Sequence, residues 1–182
     1  MHHYISRLHT TIMLIDLGMR ANWLARTGWM HSGVPASVAE TVSQHTFLAS
    51  LVAIDLMREL KKRGRDFSEE KVLKMVLLHD LAEGIVGDLP KWTSERIKKR
   101  ELEEEALSSF GIPKDLADLW REYEKGSSVE AKIARLADLM ATWRMAIYYK
   151  EIGFPVDDIM ISTEEGSLKL ARELGLGIKS NI

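Results

Sequence analysis

The sequence predicts an all-α fold, a single-domain bundle of about six to eight helices. Three observations predict it. Apolar residues recur at three- and four-residue spacing through most of the chain, no stretch alternates with the two-residue period of a strand, and glycine, proline and serine fall between the periodic segments. At 182 residues, with 46% hydrophobic and 29% charged residues, the chain suits one domain over 1–182 whose core needs no staples. No internal repeat, low-complexity segment or interdomain linker interrupts it.

Leu8, Ile12, Ile15 and Met19 predict a first helix from Ser6 to Met19. Residues 26–35 carry glycines, a proline and small polar residues, and read as a loop. In that loop Arg26 and Trp29 stand three apart. They are either a guanidinium and an aromatic face suited to a phosphate and a sugar or base, or a surface arginine and a tryptophan that plugs the core. A second helix runs from Val42 or Ser43, with Ser43 as its cap, to about Lys62, with His45 in its first turn on or near the buried face. That histidine is either a satisfied core residue or a ligand.

Ser68, with Glu69 and Glu70 behind it, opens a third helix that reaches His79; apolar residues nearly surround it, so it is expected at the centre of the bundle. Gly84 to Pro90 is a loop carrying Asp88, and a charged helix is predicted over 94–110. Its acids, Glu101 and Glu103 to Glu105, face Arg96, Lys98, Lys99 and Arg100 as a solvated surface with no assigned chemistry. A short helix from Pro113 to about Lys125 ends at Gly126, and a long one runs from Ser127 or Ser128 to about Lys150. Asp138 interrupts the apolar stripe of the long helix, where it either pairs with Arg135 or serves a site. A final helix is predicted over 163–174, leaving 26–150 as the motif-bearing part.

The chemistry centres on Leu77-Leu78-His79-Asp80-Leu81-Ala82-Glu83, an apolar run that ends in two metal-capable side chains with a carboxylate one helical turn later. Buried charges need a partner or a metal, and residues three and four apart share a helical face, which puts Glu83 beside His79 and Asp80 if the helix continues. The His-Asp pair alone is weak, because about one chain in three of this composition contains one by chance. With no cysteine, neither a disulfide nor a thiolate metal site is available, so any metal falls to imidazole and carboxylate. A formal net charge of −2 gives no reason to bind a nucleic acid polymer or an anionic membrane. No 18-residue apolar run exists and the amino terminus lacks a signal-peptide layout, so a cytoplasmic protein is expected. His2 and His3 read as part of a flexible terminus.

Together His45, the His79-Asp80 pair and Asp138 follow the order His, His-Asp, Asp across three helices. This order resembles the HD-domain metal-dependent phosphohydrolases, and more narrowly the HD-domain 5′-deoxynucleotidases and their oxetanocin-like relatives. The matching stretches are Arg26-Thr27-Gly28-Trp29, Glu40-Thr41-Val42-Ser43-Gln44-His45, His79-Asp80-Leu81-Ala82-Glu83, Gly87-Asp88-Leu89-Pro90 and Asp138. The resemblance implies that His45, His79, Asp80 and Asp138 hold one divalent metal ion, that Glu83 and Asp88 line the reacting side, that Arg26 contacts a phosphate and that Trp29 packs against the sugar. Imidazole and carboxylate ligands leave the metal open among Mn²⁺, Co²⁺, Mg²⁺, Fe²⁺, Ni²⁺ and Zn²⁺.

The activity implied is hydrolysis of deoxyribonucleoside 5′-monophosphates. The alternatives are a phosphohydrolase on nucleoside triphosphates or another small phosphomonoester, and a non-catalytic helical protein with a structural metal. His79 is the last histidine in the chain, so the downstream histidines of dinuclear relatives cannot be supplied and a single-metal site follows. The sequence departs from the family at Gln44, where an acidic residue usually precedes the first ligand, which bears on the groups behind the metal. A homodimer is expected from apolar surface on the last helices.

Overall fold

The computed structural model describes residues 13–177. Among them are seven helices of ten or more residues and three short ones: α1 (Met13–Trp23), α2 (Thr27–His31), α3 (Val42–Lys62), α4 (Glu69–Leu78), α5 (Glu83–Val86), α6 (Lys91–Ser94), α7 (Lys99–Phe110), α8 (Lys114–Lys125), α9 (Val129–Glu151) and α10 (Asp157–Glu173). The described residues contain no strand beyond one isolated antiparallel bridge between Ala25 and Thr41. None of their helices is long and apolar enough to cross a membrane. Residues 6–12 of the predicted first helix, and His2 and His3, lie outside the described residues.

Local chemistry sets most helix ends. Ser68 and Ser128 accept hydrogen bonds from the backbone N–H groups of Lys71 and Ala131, so the caps expected for α4 and α9 form. The cap of α3 is Thr41 rather than Ser43. Thr41 Oγ1 accepts from Gln44 N–H, while Gln44 Oε1 accepts from Thr41 N–H at 2.8 Å, a reciprocal box. Ser43 donates instead to Asn22 Oδ1 at the end of α1. The final helix begins at Asp157 rather than near residue 163, and residues 27–31 of the predicted loop coil into α2.

The central helix is α9, not α4. It packs against α3, α4, α8 and α10, whereas Leu77 on α4 is 56% exposed. Alanines at 49 and 53 on α3 and at 134, 137 and 141 on α9 are all buried, and their small side chains let the helix axes approach closely. Leu56, Leu60, Val72, Met75, Val76, Ile133 and Leu136 fill the same core. A second cluster joins Trp29, Val34, Ala39, Ala146, Tyr149 and Val156, and a third joins Leu17, Ala82, Leu107 and Trp120. The site lies where α3, the end of α4 and the middle of α9 meet. Exposed apolar side chains include Trp23 on α1, Phe47 on α3, Trp92 on α6, and Tyr148, Ile152 and Ile161 on or beside the last two helices.

Candidate metal centre

His79 stands immediately after the last residue of α4, and its ring stops the helix from going further in register. Its Nδ1–H donates to the Val76 carbonyl at 2.6 Å, taking one of the carbonyls a helix end leaves free and turning Nε2 toward the interior. The chain then turns, with Leu81 N–H bonded to Leu78 O and Glu83 N–H to Asp80 O, before α5 begins. Glu83 therefore does not extend the α4 face as the spacing suggested. It is carried by a separate short helix that α1 crosses at Gly84, where a Cβ would stand 3.0 Å from the Leu17 carbonyl oxygen.

The turn gathers the histidines and acids. Ligand atoms of His45, His79 and Asp80 all lie within 4.8 Å of one another, a grouping able to hold a metal ion. Asp80 Oδ2 is 3.1 Å from His79 Nε2 and 4.0 Å from His45 Nε2. Asp138, on α9, stands outside this grouping but close to it, with Oδ1 at 3.0 Å from His45 Nε2 and 3.9 Å from His79 Nε2. Its other oxygen accepts from Tyr123 OH at 3.2 Å. Arg135, the alternative partner for Asp138, instead stacks over the Tyr123 ring and donates to its carbonyl. Trp120 Nε1–H donates to the His79 carbonyl, tying α8 to the turn.

Electrostatics favour a cation here. Burial would raise the Asp80 carboxyl, but His79, Arg26 and His45 hold it well below the usual carboxylate range. Asp138 is likewise held low against its burial, chiefly by the His45 hydrogen bond. Burial would depress the His79 imidazole, yet the carboxylates of Asp80 and Asp138 raise it to about 9. Two ionised carboxylates thus face two imidazoles, and His79 Nε2 completes no hydrogen bond of good geometry. A divalent ion fits this donor set, since it replaces the proton that the carboxylates otherwise hold on the ring.

Around this cluster stand the other residues singled out from sequence. Glu83 is 4% exposed; burial first, then the charges of Asp80 and Asp88, push its carboxyl up to about 8 against the pull of Lys99 and Arg26. Its Oε2 is buried without a partner. Asp88 follows Gly87, whose φ of +84° turns the chain, and is held by Thr27, whose backbone N–H and hydroxyl both donate to Oδ2. Arg26 Nη1 reaches Thr142 Oγ1 at 3.2 Å and Glu40 Oε1 at 3.4 Å. Trp29 is 2% exposed, packs edge-on against Tyr149 with ring centroids 4.9 Å apart, and donates its indole N–H to Glu40 Oε1 at 3.0 Å. It plugs the core and also walls a cleft of about 190 Å³ shared with Arg26, Asp88, Leu89, Pro90 and Thr142.

Sequence reasoning missed Lys99, Glu40 and Thr142. The charged helix predicted over 94–110 starts later: Ser94 is the last residue of α6 and residues 95–98 turn, with Arg96 lying over the Trp92 ring at 4.0 Å and donating to the Trp92 carbonyl. The chain redirects and α7 starts at Lys99, whose Nζ lies 3.2 Å from both Glu83 Oε1 and Glu103 Oε1. Burial would lower this ammonium, but the two glutamates raise it. The i,i+4 pair of Lys99 and Glu103 was visible in the sequence; its contact with Glu83 was not. Thr142 was legible in principle, one turn after Asp138 on the same face of α9. Gln44 is spent on the α3 capping box, where an amide serves as well as an acid, so its departure from the family pattern removes nothing from the cluster.

A helical bundle that gathers two histidines and an aspartate into a grouping able to hold a metal, with a second aspartate 3.0 Å from one of the histidines, has the donor set of a metal-centred α protein, and comparison with known proteins gives the family. The chain belongs to the HD domain family, whose description matches residues 23–166. The 5′-deoxynucleotidase HDDC2 of Danio rerio is 32% identical over 161 residues, covering 83% of this chain and 76% of that one. The 5′-deoxynucleotidase HDDC2 of Dictyostelium discoideum is 31% identical, covering 70% of this chain and 71% of its own. The crystal structure of a protein from Pyrococcus horikoshii OT3 superposes with a TM-score of 0.79 at 30% identity, covering 90% of this chain and 96% of that one. The family implies a divalent metal, and His45, His79 and Asp80 provide a place for it.

Proposed function

We propose that the protein is a metal-dependent 5′-nucleotidase that hydrolyses deoxyribonucleoside 5′-monophosphates to deoxynucleoside and phosphate, with His45, His79, Asp80 and Asp138 holding one divalent ion. The observation that carries this reading is the Arg26 guanidinium, a phosphate-binding group held by Thr142 and Glu40 at a cleft beside the His and Asp cluster. Relatives named 5′-deoxynucleotidase support the substrate class. When bound, the ion supplies Lewis acidity, polarising a phosphate oxygen and acidifying its water.

The chain's own residues do the rest. Arg26 receives the phosphoryl group and neutralises charge as it transfers. Glu83, buried with a free Oε2 and a carboxyl raised to about 8, takes the proton of the attacking water as the P–O5′ bond breaks. Asp88, fixed by Thr27, orients the water, and Glu83 passes the proton it has taken to the departing 5′-oxygen. Trp29 fills the space a 2′-hydroxyl would need.

Phosphate release from deoxy- and ribonucleoside 5′-monophosphates and triphosphates tests the reading, using metal-stripped protein resupplied with Mn²⁺, Co²⁺ or Mg²⁺. Metal-dependent release from deoxymonophosphates supports it; release of pyrophosphate or triphosphate alone, or of nothing with metal bound, replaces it. In the same assay Trp29→Phe keeps an apolar plug but shortens the wall, so preference for deoxy- over ribonucleotides falls about tenfold. Unchanged discrimination removes Trp29 from that role.

Lys99 gives a second check. Lys99→Met removes the cation that lowers the Glu83 carboxyl, so that carboxyl rises further and the acid limb of the kcat/KM profile moves up by about one pH unit. The rate lost at pH 7 returns near pH 9, while Lys99→Arg keeps the wild-type profile. An unmoved limb would separate Glu83 from the proton transfer.

A further inference from the structure

We propose that Glu40 is a positioning residue that couples metal occupancy to phosphate recognition, its one carboxylate facing the far nitrogen of His45 while holding Arg26 and Trp29. The proposal rests on the reading above in taking His45 as a metal ligand and Arg26 as a phosphate contact. Glu40 is 4% exposed and its place is fixed by the backbone: its N–H donates to Tyr149 Oη at 2.7 Å and its carbonyl accepts Arg26 N–H at 3.0 Å. Its carboxylate cannot wander.

The inference starts from two buried atoms without hydrogen-bond partners, His45 Nδ1 and Glu40 Oε2. His45 Nε2 lies 3.0 Å from Asp138 Oδ1, an oxygen that can only accept, so Nε2 is the nitrogen that donates in this arrangement while Nδ1 makes no hydrogen bond. A metal needs the Nε2 lone pair, which sends the proton to Nδ1. The carboxylate waiting there is Glu40, with Oε1 at 3.7 Å, too far for a hydrogen bond and within one small ring displacement of one. An unpartnered buried nitrogen is costly, and a proton on Nδ1 would give it the Glu40 carboxylate as partner.

The same oxygen already accepts from Trp29 at 3.0 Å and from Arg26 at 3.4 Å, and the Arg26 contact is the longer. When His45 draws on Glu40, Arg26 is the partner released, and its guanidinium turns to the cleft it lines with Asp88. Linkage makes the effect reciprocal: an anion that occupies Arg26 leaves Glu40 to His45 and tightens the metal.

The test uses Mn²⁺ and inorganic phosphate, the latter kept below the concentration that complexes the free ion, and needs no turnover. In the wild-type protein, phosphate should tighten Mn²⁺ binding about fivefold or more. In Glu40→Gln, which keeps shape and an acceptor but loses the charge, Mn²⁺ binding should weaken about 10- to 100-fold and the phosphate effect should fall below twofold. With Zn²⁺ in place of Mn²⁺, the NMR signal of the His45 Nδ1 proton should lie strongly downfield in wild type and move upfield in the variant. An Mn²⁺ affinity within twofold of wild type in folded Glu40→Gln overturns the proposal. So does wild-type Mn²⁺ affinity indifferent to phosphate, a result that needs no variant to fold. Coupling in a protein that hydrolyses no deoxynucleotide would remove the substrate assignment and keep Glu40; hydrolysis without coupling would do the reverse.

Discussion

Asp80→Ala is expected to lower kcat/KM for a deoxyribonucleoside monophosphate at least 10³-fold and to leave the purified protein without stoichiometric metal. Asp80 is the carboxylate nearest to His79, it also faces His45, and the charges around it keep it ionised at every working pH. On the proposed reading, alanine removes a ligand and the charge that makes the pocket attractive to a cation. Metal analysis beside phosphate release checks both halves. Full metal content with lost activity would move Asp80 from ligand to reactant, and activity within tenfold of wild type would dissolve the assignment of the cluster.

Glu83→Gln should lower kcat about 10²- to 10⁴-fold with little change in KM, since the amide fills the same space and takes no proton. It should also stabilise the metal-stripped protein. A carboxyl raised from 4.5 to about 8 binds its proton more tightly when folded, so folding carries no penalty from this group below pH 4.5. The penalty grows as pH rises from 4.5 to about 8 and is constant above. The variant should therefore match wild type in thermal melts at pH 4 and exceed it at pH 8, by on the order of 4 kcal/mol or roughly 8–16 °C. A difference that grows toward acid would mean that Glu83 is ionised and stabilising in the fold.

What was legible in the sequence was whatever is written locally or periodically. Ser68 and Ser128 read as caps because a cap is a matter of neighbouring residues, and His45 and Asp138 read as inward-facing because each interrupts an apolar stripe. Ser43 reads as a cap because Ser caps at least as well as Thr, and what accompanies the cap at Thr41 is the bridge that brings residue 41 beside Ala25. Glu83 was placed on the α4 face by a spacing rule that holds only while the helix lasts; the ring of His79 ends it by taking the Val76 carbonyl. Glu40 and Lys99 were passed over for a different reason. Each acquires its role from a partner on another element, His45 across the start of α3 and Glu83 across a broken helix, and nothing in their own neighbourhoods announces it.

The run of buried alanines along α3 and α9 bears on how this sequence can drift. Asp138 lies between Ala137 and Ala141, and α9 rests against α3 through side chains that have no methyl to spare. Enlarging Ala134, Ala137 or Ala141 to valine would add bulk at the seam and shift one helix against the other, and an error of about 1 Å in where reacting groups sit can cost two orders of magnitude in rate. The 3.0 Å spacing of His45 and Asp138 is thus held by residues that touch neither metal nor nucleotide. Mutational tolerance should be lowest along this plain apolar seam, and a library scored for activity alone would mark its smallest side chains as if they were catalytic.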